Sequence, residues 1–237
     1  MLFRSVIGNS GTNAASYTIY NDLKYTPADF VPVGLVAKTS PMIALKLDFP
    51  AKDLKEFLAY AKANPGKISL GHAGVGSSNY LICRNFLKAS GLDVALVSYR
   101  GAGPALNDLM GGQIDGVCDA ATSLSGAVQG NKVKALVVAT PQRLPSLPDV
   151  PTSAEAGLPA FQAQGWNAIF APKGTPQPVI DRLNQALRTA LSSEKLHARF
   201  KELSSVLPEK EEMSPEFVAR MVPAEIEKYK VLLSDAK

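Results

Sequence analysis

The chain reads as an α/β protein, a parallel sheet with helices on both faces, laid out as two lobes joined by a hinge. Three observations predict this. Strand-like and helix-like runs alternate from Asp53 to Ala139, the rhythm of βαβ units. Five prolines between Pro141 and Pro159 then interrupt any regular ladder and mark an ordered surface excursion. The two flanks differ in texture from the middle, and the chain closes on two long amphipathic runs. A chain that leaves one lobe, builds a second and returns by crossing segments has the layout of a hinged binding protein. Its ligand is expected in the cleft, where strand ends and helix N-termini converge.

Each element has a local cause. Asp53 to Ala63 predicts a helix, with Leu54, Phe57, Leu58 and Ala61 on one face and Asn64-Pro65-Gly66 as its stop. Ile68 to Leu70 predicts a short strand. Ser77 to Lys88 predicts a helix, with Gly91 placed for a C-terminal cap. Val94 to Tyr99 predicts a strand. Ala105 to Met110 predicts a helix, with Pro104 suited to its first turn. Ile114 to Cys118 follows as a strand, Ser123 to Gln129 as a short helix, and Lys134 to Ala139 as a buried strand. Beyond the prolines, Phe161 to Phe170 is strand-like and Ala171-Pro172-Lys173-Gly174 a turn. The closing helices are expected from about Pro176 to Leu203 and from Pro215 to Leu233. On this reading one lobe is 72–164, and the other combines 1–71 with 165–237.

Bulk composition narrows the function. The 237 residues are 46% apolar and 19% charged, a globular composition with enough chain for a real core. The net charge of +4 is mild, and no run of Lys and Arg interleaves with aromatics, so nucleic acid is not the expected partner. No segment offers about 18 uninterrupted apolar residues, so no membrane insertion is expected. Met1 to Ile7 lacks the basic and apolar regions of a signal peptide. Cys83 and Cys118 are too few for a disulfide scaffold or a zinc knuckle; they read as two buried thiols, with a single disulfide as the alternative.

The segment that most resembles a site is Gly71-His72-Ala73-Gly74-Val75-Gly76-Ser77-Ser78. A strand, a glycine-rich turn and a helix opening on two hydroxyls can hold an anion. The first helical N–H groups have no intrahelical partner, and the helix dipole places partial positive charge there. The segment is neither a dinucleotide fingerprint, since Asn79 stands where the last glycine belongs, nor a phosphate-binding P-loop. His72 reads either as a donor to ligand or as a hydrogen-bonded packing residue, and His197 as a solvated helix residue. Asp119 reads as a cap for the helix that follows or as a group orienting ligand at the cleft. Trp166 reads as hinge packing or cleft wall. No His, Cys, Asp or Glu cluster has metal-ligand spacing. A serine hydrolase of small carboxylic esters is the alternative function, with Ser10 of Gly8-Asn9-Ser10-Gly11-Thr12 or Ser77 as nucleophile and His72 as base.

Several segments, in order, resemble one family. They are Gly71 to Ser78, Leu23-Lys24-Tyr25-Thr26-Pro27-Ala28-Asp29-Phe30-Val31-Pro32-Val33-Gly34, Tyr99-Arg100-Gly101-Ala102-Gly103-Pro104-Ala105, Asp108 to Asp115, Cys118-Asp119, Pro148 to Pro159, and Ala171 to Pro176. Together they are similar to the solute receptors of tripartite tricarboxylate transporters, the Bordetella uptake gene (Bug) type. The resemblance implies a type II periplasmic-binding-protein fold that captures a small di- or tricarboxylate or aromatic carboxylate for membrane permease subunits. It implies a periplasmic location, no cofactor and no catalysis. Carried onto this sequence, the ligand contacts are His72, Ala73, Gly76, Ser77 and Ser78, with Asp119 and Thr122 on a second segment. Tyr80 stands where the family usually has histidine, and Asn13 lies in a divergent loop. The resemblance starts near Gly8, so a first β-α-β unit of the family, with its own carboxylate loop, is expected to be absent and the first lobe incomplete.

Overall fold

The computed structural model of the chain describes residues 5–234. The expectations placed on Met1 to Arg4 lie outside the described residues. The chain opens with β1 (Val6–Asn9), a wide helical turn at Gly11–Ala15, α1 (Ser16–Ile19) and a single 3-10 turn at Pro27–Asp29. There follow β2 (Phe30–Thr39), β3 (Pro41–Leu45), α2 (Leu54–Ala63), β4 (Ser69–His72), α3 (Ser78–Ser90) and β5 (Ala95–Ser98). Next come α4 (Ala102–Met110), β6 (Gly116–Ala120), α5 (Ala121–Gln129), β7 (Lys134–Val138) and β8 (Gly165–Pro172). The chain closes with α6 (Gln177–Leu191), α7 (Glu194–Glu202) and α8 (Pro215–Leu233).

These elements form two compact units. One is Thr39–Gln164, and the other joins the residues up to Lys38 to those from Gly165 onward. The first division therefore falls at Lys38/Thr39 rather than at 71/72. The reason is that β3 pairs with β6 and β7, and that Leu54, Phe57 and Ala61 of α2 enter the same core as Ile82 and Phe86 of α3.

The middle unit is a five-stranded sheet in the order β5-β4-β6-β3-β7. β4 is parallel to β5 and β6, as the alternating rhythm predicts, but β3 runs antiparallel to both β6 and β7. The expected all-parallel sheet is thus a mixed one. Strand alternation sorts the side chains into two cores. Ile43, Leu45, Leu70, Cys118 and Val137 face α2, α3 and Phe161. Met42, Ala44, Val117 and Val138 face α4 and α5 through Ala105, Leu109, Ala121 and Leu124. The proline-rich excursion is pinned to β7 through the Val138 amide and carbonyl and is clamped within itself. Arg143 Nε donates to both Glu155 carboxylate oxygens, its Nη1 donates to the Pro148 carbonyl, and Glu155 accepts from the Thr152 amide.

The flanking unit holds a three-stranded sheet in the order β1-β8-β2, with β1 antiparallel to β8. Asn184 of α6 binds two backbone carbonyls at once, Val33 at 2.8 Å and Met213 at 2.7 Å, and so ties α6 to β2 and to the segment before α8. Trp166 is buried on β8, where its indole N–H donates to Glu225 of α8 at 3.1 Å. Tyr229, one turn further along α8, bonds both Glu225 and Ser10, and burial pushes its phenol far above the ordinary value. The long helix expected from Pro176 to Leu203 is in fact two. It breaks at Ser192 and Ser193, and His197 Nε2 lies 2.6 Å from the Leu191 carbonyl at the end of α6. His197 is exposed, as the sequence suggests, and its ring also meets the last turn of α6.

Candidate functional site

The site is built at the ends of two neighbouring parallel strands. β4 leaves the sheet at His72, and β6 leaves it at Ala120; in open α/β sheets ligands collect outside these carboxyl ends. After His72 the chain must turn sharply to start α3. Gly74 (φ 110°) and Gly76 (φ 79°) take backbone angles that side-chain-bearing residues rarely adopt. A Cβ on Gly74 would also press on the Tyr99 carbonyl at 3.3 Å. Ser77 then closes the turn and opens the helix. Its hydroxyl donates to the Gly74 carbonyl at 2.6 Å and accepts from the Tyr80 amide at 3.1 Å, the N-cap bond of α3. No acidic residue stands in the first turn of α3, so the helix itself offers nothing to neutralise its positive end.

His72 is 2% exposed, and its ring centroid lies 5.2 Å from that of Tyr80. Its Nδ1 accepts from the Gly74 amide at 3.2 Å, which places the proton of the neutral ring on Nε2. Burial pulls its pKa below the ordinary 6.5, against the raising effect of the Gly74 bond. The Ser77 hydroxyl proton goes to the Gly74 carbonyl, and the imidazole is engaged with the amide of the same residue. The serine–base pair of the hydrolase alternative is therefore not formed at Ser77. Ser10, the other candidate nucleophile, is buried beside Tyr229 in the flanking unit.

Asp119 is 5% exposed at the end of β6. Burial raises its pKa, opposed by hydrogen bonds from the Ala120 amide and from the Asn79 and Ser123 side chains. It does not cap α5 in the usual way, because it bonds the adjacent Ala120 amide at 2.7 Å, while the Ala121 amide goes to the Ser40 carbonyl, also at 2.7 Å. The Asn79 bond brings Asp119 to the first turn of α3. Thr122 lies half-buried in the first turn of α5. The geometry thus gathers His72, Ala73, Gly76, Ser77 and Ser78 in one loop and links Asp119 to it. Sequence reasoning passed over Asn79 and Ser40. Asn79 carried one signal, a polar side chain directly after the Ser-Ser step; Ser40 carried none, since it contributes a carbonyl. Among the described residues no group of three or more His, Cys, Asp or Glu is placed to hold a metal ion, and no helix is long and apolar enough to cross a membrane.

Cys83 and Cys118 are joined in a disulfide with a Cα–Cα distance of 5.3 Å. This corrects the reading of two free thiols: α3 packs directly on β6, which carries the two side chains together.

The pH dependence of stability follows from His72. Its folded form binds a proton less readily than an unfolded imidazole. Across the window between the lowered folded value and the ordinary 6.5, the unfolded chain holds more protons. The His72 contribution is therefore complete above that window and is lost as pH falls through it. Urea titrations at steps from pH 7.5 to 5 are expected to show this decline, and His72→Gln is expected to flatten it. An unchanged slope in the variant would assign the decline to other groups.

Comparison with known proteins gives the chain its family. The model of the tripartite tricarboxylate transporter family receptor matches residues 5–235. A protein from Agrobacterium vitis, described as a UPF0065 protein in the TAR-I ttuE-ttuC′ intergenic region, is 36% identical over 219 residues. That match takes in 92% of this chain but 63% of the relative, so the chain spans less than two thirds of its length. Among solved structures, MatC (Rpa3494) from Rhodopseudomonas palustris with bound malate has a TM-score of 0.90 at 36% identity, over 97% of this chain and 78% of its own. The periplasmic binding protein BugD has a TM-score of 0.91 at 34% identity, over 98% and 77% respectively.

Proposed function

The chain belongs to the tripartite tricarboxylate transporter receptor family, and from that premise we propose that it captures a small organic acid at its Gly71–Ser78 loop for delivery to membrane permease subunits. The observation that carries this reading is the Ser77-capped start of α3. A glycine turn delivers it from a strand end, and its first turn bears no acid. A carboxylate there meets backbone N–H donors and the positive end of a 13-residue helix. Ala73 and Gly76 let the ligand approach the backbone, Ser77 and Ser78 frame it, and the Nε2–H of His72 supplies a neutral donor. Asp119 and Thr122 line the second segment. The malate in MatC makes a dicarboxylate the first class to try. The disulfide fits an oxidising compartment, and with BugD described as periplasmic it supports an extracytoplasmic location. Receptors of this kind release their ligand unchanged, so the reading assigns no bond-making step.

A thermal-shift panel of malate, succinate, citrate and benzoate tests it. A ligand at about 100 times its Kd stabilises the folded state by about 2.7 kcal/mol, a readable shift. Ser78→Asp separates binding from folding. An acidic residue in the first turn favours the helix by roughly 0.3–1 kcal/mol, yet it places a negative charge where the carboxylate is expected. The variant should therefore melt no lower than the parent and lose the ligand shift. A panel without any shift, or a shift that survives in Ser78→Asp, would overturn the proposal.

A further inference from the structure

The loop and the Asp119 segment leave different strands, and one covalent bond joins the elements that carry them. Cys83 lies on α3 and Cys118 on β6, and both side chains are fully buried. Cys83 Sγ lies 4.0 Å from the Gly71 carbonyl, so the bridge sits against the end of β4 just before the glycine turn begins. Asn79 stands one helical turn before Cys83, on the same face of α3. It donates its side-chain amide to Asp119, the residue directly after Cys118. Two ties therefore run side by side from α3 to β6. One is a hydrogen bond at the level of the site, and the other is a covalent bond one turn below it.

We propose that the Cys83–Cys118 disulfide is a positioning element of the ligand site, fixing the start of α3 against the end of β6 so that Ser77, Ser78 and Asp119 keep one geometry. The proposal rests on reading the Gly71–Ser78 loop as the carboxylate site. Packing alone leaves a helix free to slide by fractions of an ångström, whereas a binding constellation needs placement to about 0.5 Å. Four residues separate Ser78 from Cys83, so a bond at Cys83 holds the helix close to the end that matters. Full burial makes the bridge a permanent brace rather than a switch, because a thiolate reaches a disulfide only where it has access.

The test uses the full chain with Cys83→Ala/Cys118→Ala, and with Cys83→Ala/Cys118→Val to restore buried volume if the first variant folds poorly. Asn79→Ala, which keeps the disulfide, serves as the third variant. Malate affinity is measured by calorimetry well below the melting temperature, alongside amide hydrogen exchange. The disulfide-free variants are expected to bind malate about 10-fold or more weakly, the scale at which small misplacements act. Their Tyr80 and Leu81 amides, bonded to the Ser77 hydroxyl and carbonyl, should exchange about 10-fold faster relative to the Leu70 amide, a local loosening on top of any global change. A role in stability alone would lower the melting temperature but leave both the affinity and the exchange ratio unchanged, and that result overturns the proposal. Asn79→Ala losing as much affinity as the disulfide-free variants would also overturn it, since the hydrogen bond would then be the positioning tie. Where another acid of the panel binds in place of malate, that acid serves as the probe; if the parent chain binds none of them, the carboxylate reading is what fails. The exchange ratio then decides the brace: local loosening upholds it and a uniform change sinks it.

Discussion

Phe86→Ala is expected to lower the unfolding free energy by about 3–5 kcal/mol. Phe86 is fully buried on α3 and sits at the centre of an aromatic cluster. Its ring centroid lies 6.1 Å from Phe57 and 5.2 Å from Phe161, and Phe57 in turn meets Phe49 at 5.5 Å. The truncation removes a ring that touches α2, the sheet and the segment after the prolines. None of these can collapse into the gap alone, because α2 is anchored by its Asp53 cap and α3 by its disulfide. In a chain of this size each kcal/mol moves the melting temperature by about 2–4 °C, so the loss reads as a drop of about 6–20 °C. Urea denaturation monitored by circular dichroism checks it. A loss under about 2 kcal/mol would mean that the site collapses around the missing ring.

Removing the bridge is expected to rank second. The cysteines are 35 residues apart in sequence. The chain-entropy estimate runs from about 3 kcal/mol for a 15-residue loop to about 4.7 for one of 100 residues. The paired alanine variant should therefore lose about 3–4 kcal/mol, most of it by freeing the unfolded chain. Equilibrium denaturation of the parent and the variant measures it. A dithiol reductant added to the native parent should have little effect over hours, because both sulfurs are buried. Rapid native-state reduction would show that the middle unit opens locally far more often than its core implies.

What the sequence disclosed follows from where the physics is local. The ends of α2, α3 and α8 were legible because caps mark them: Asp53, Ser77 with Gly91, and Ser214 with Pro215. The glycine turn was legible for the same reason, since its two positive-φ positions are glycines followed by a capping serine. The first three strands went unread. β3 is buried at every position, so Pro41-Met42-Ile43-Ala44-Leu45 shows no alternation, and its antiparallel direction depends on partners far along the chain. β2 carries Pro32, which demotes a strand pattern read in isolation. The break between α6 and α7 was masked because no glycine or proline marks it: Leu187 and Leu191 keep helical spacing up to the stop, and the signals are the Ser192-Ser193 pair and the five-residue step from Leu191 to Leu196. The disulfide and the Asn79–Asp119 bond are tertiary facts: spacing along the chain says nothing of which two elements pack face to face.

One detail of the middle unit reaches further than its size. Ala139 holds both ends of that unit: its amide donates to the Pro41 carbonyl at 2.9 Å, and its carbonyl accepts from the Ala163 amide at 3.2 Å. The segment that enters and the segment that leaves thus lie on either side of a single residue. A unit whose ends meet in this way can be opened elsewhere, or lifted out, without breaking its core. It is a cassette: the Gly71–Ser78 loop proposed as the carboxylate site and the Asp119 segment both lie inside it and would travel together in a graft.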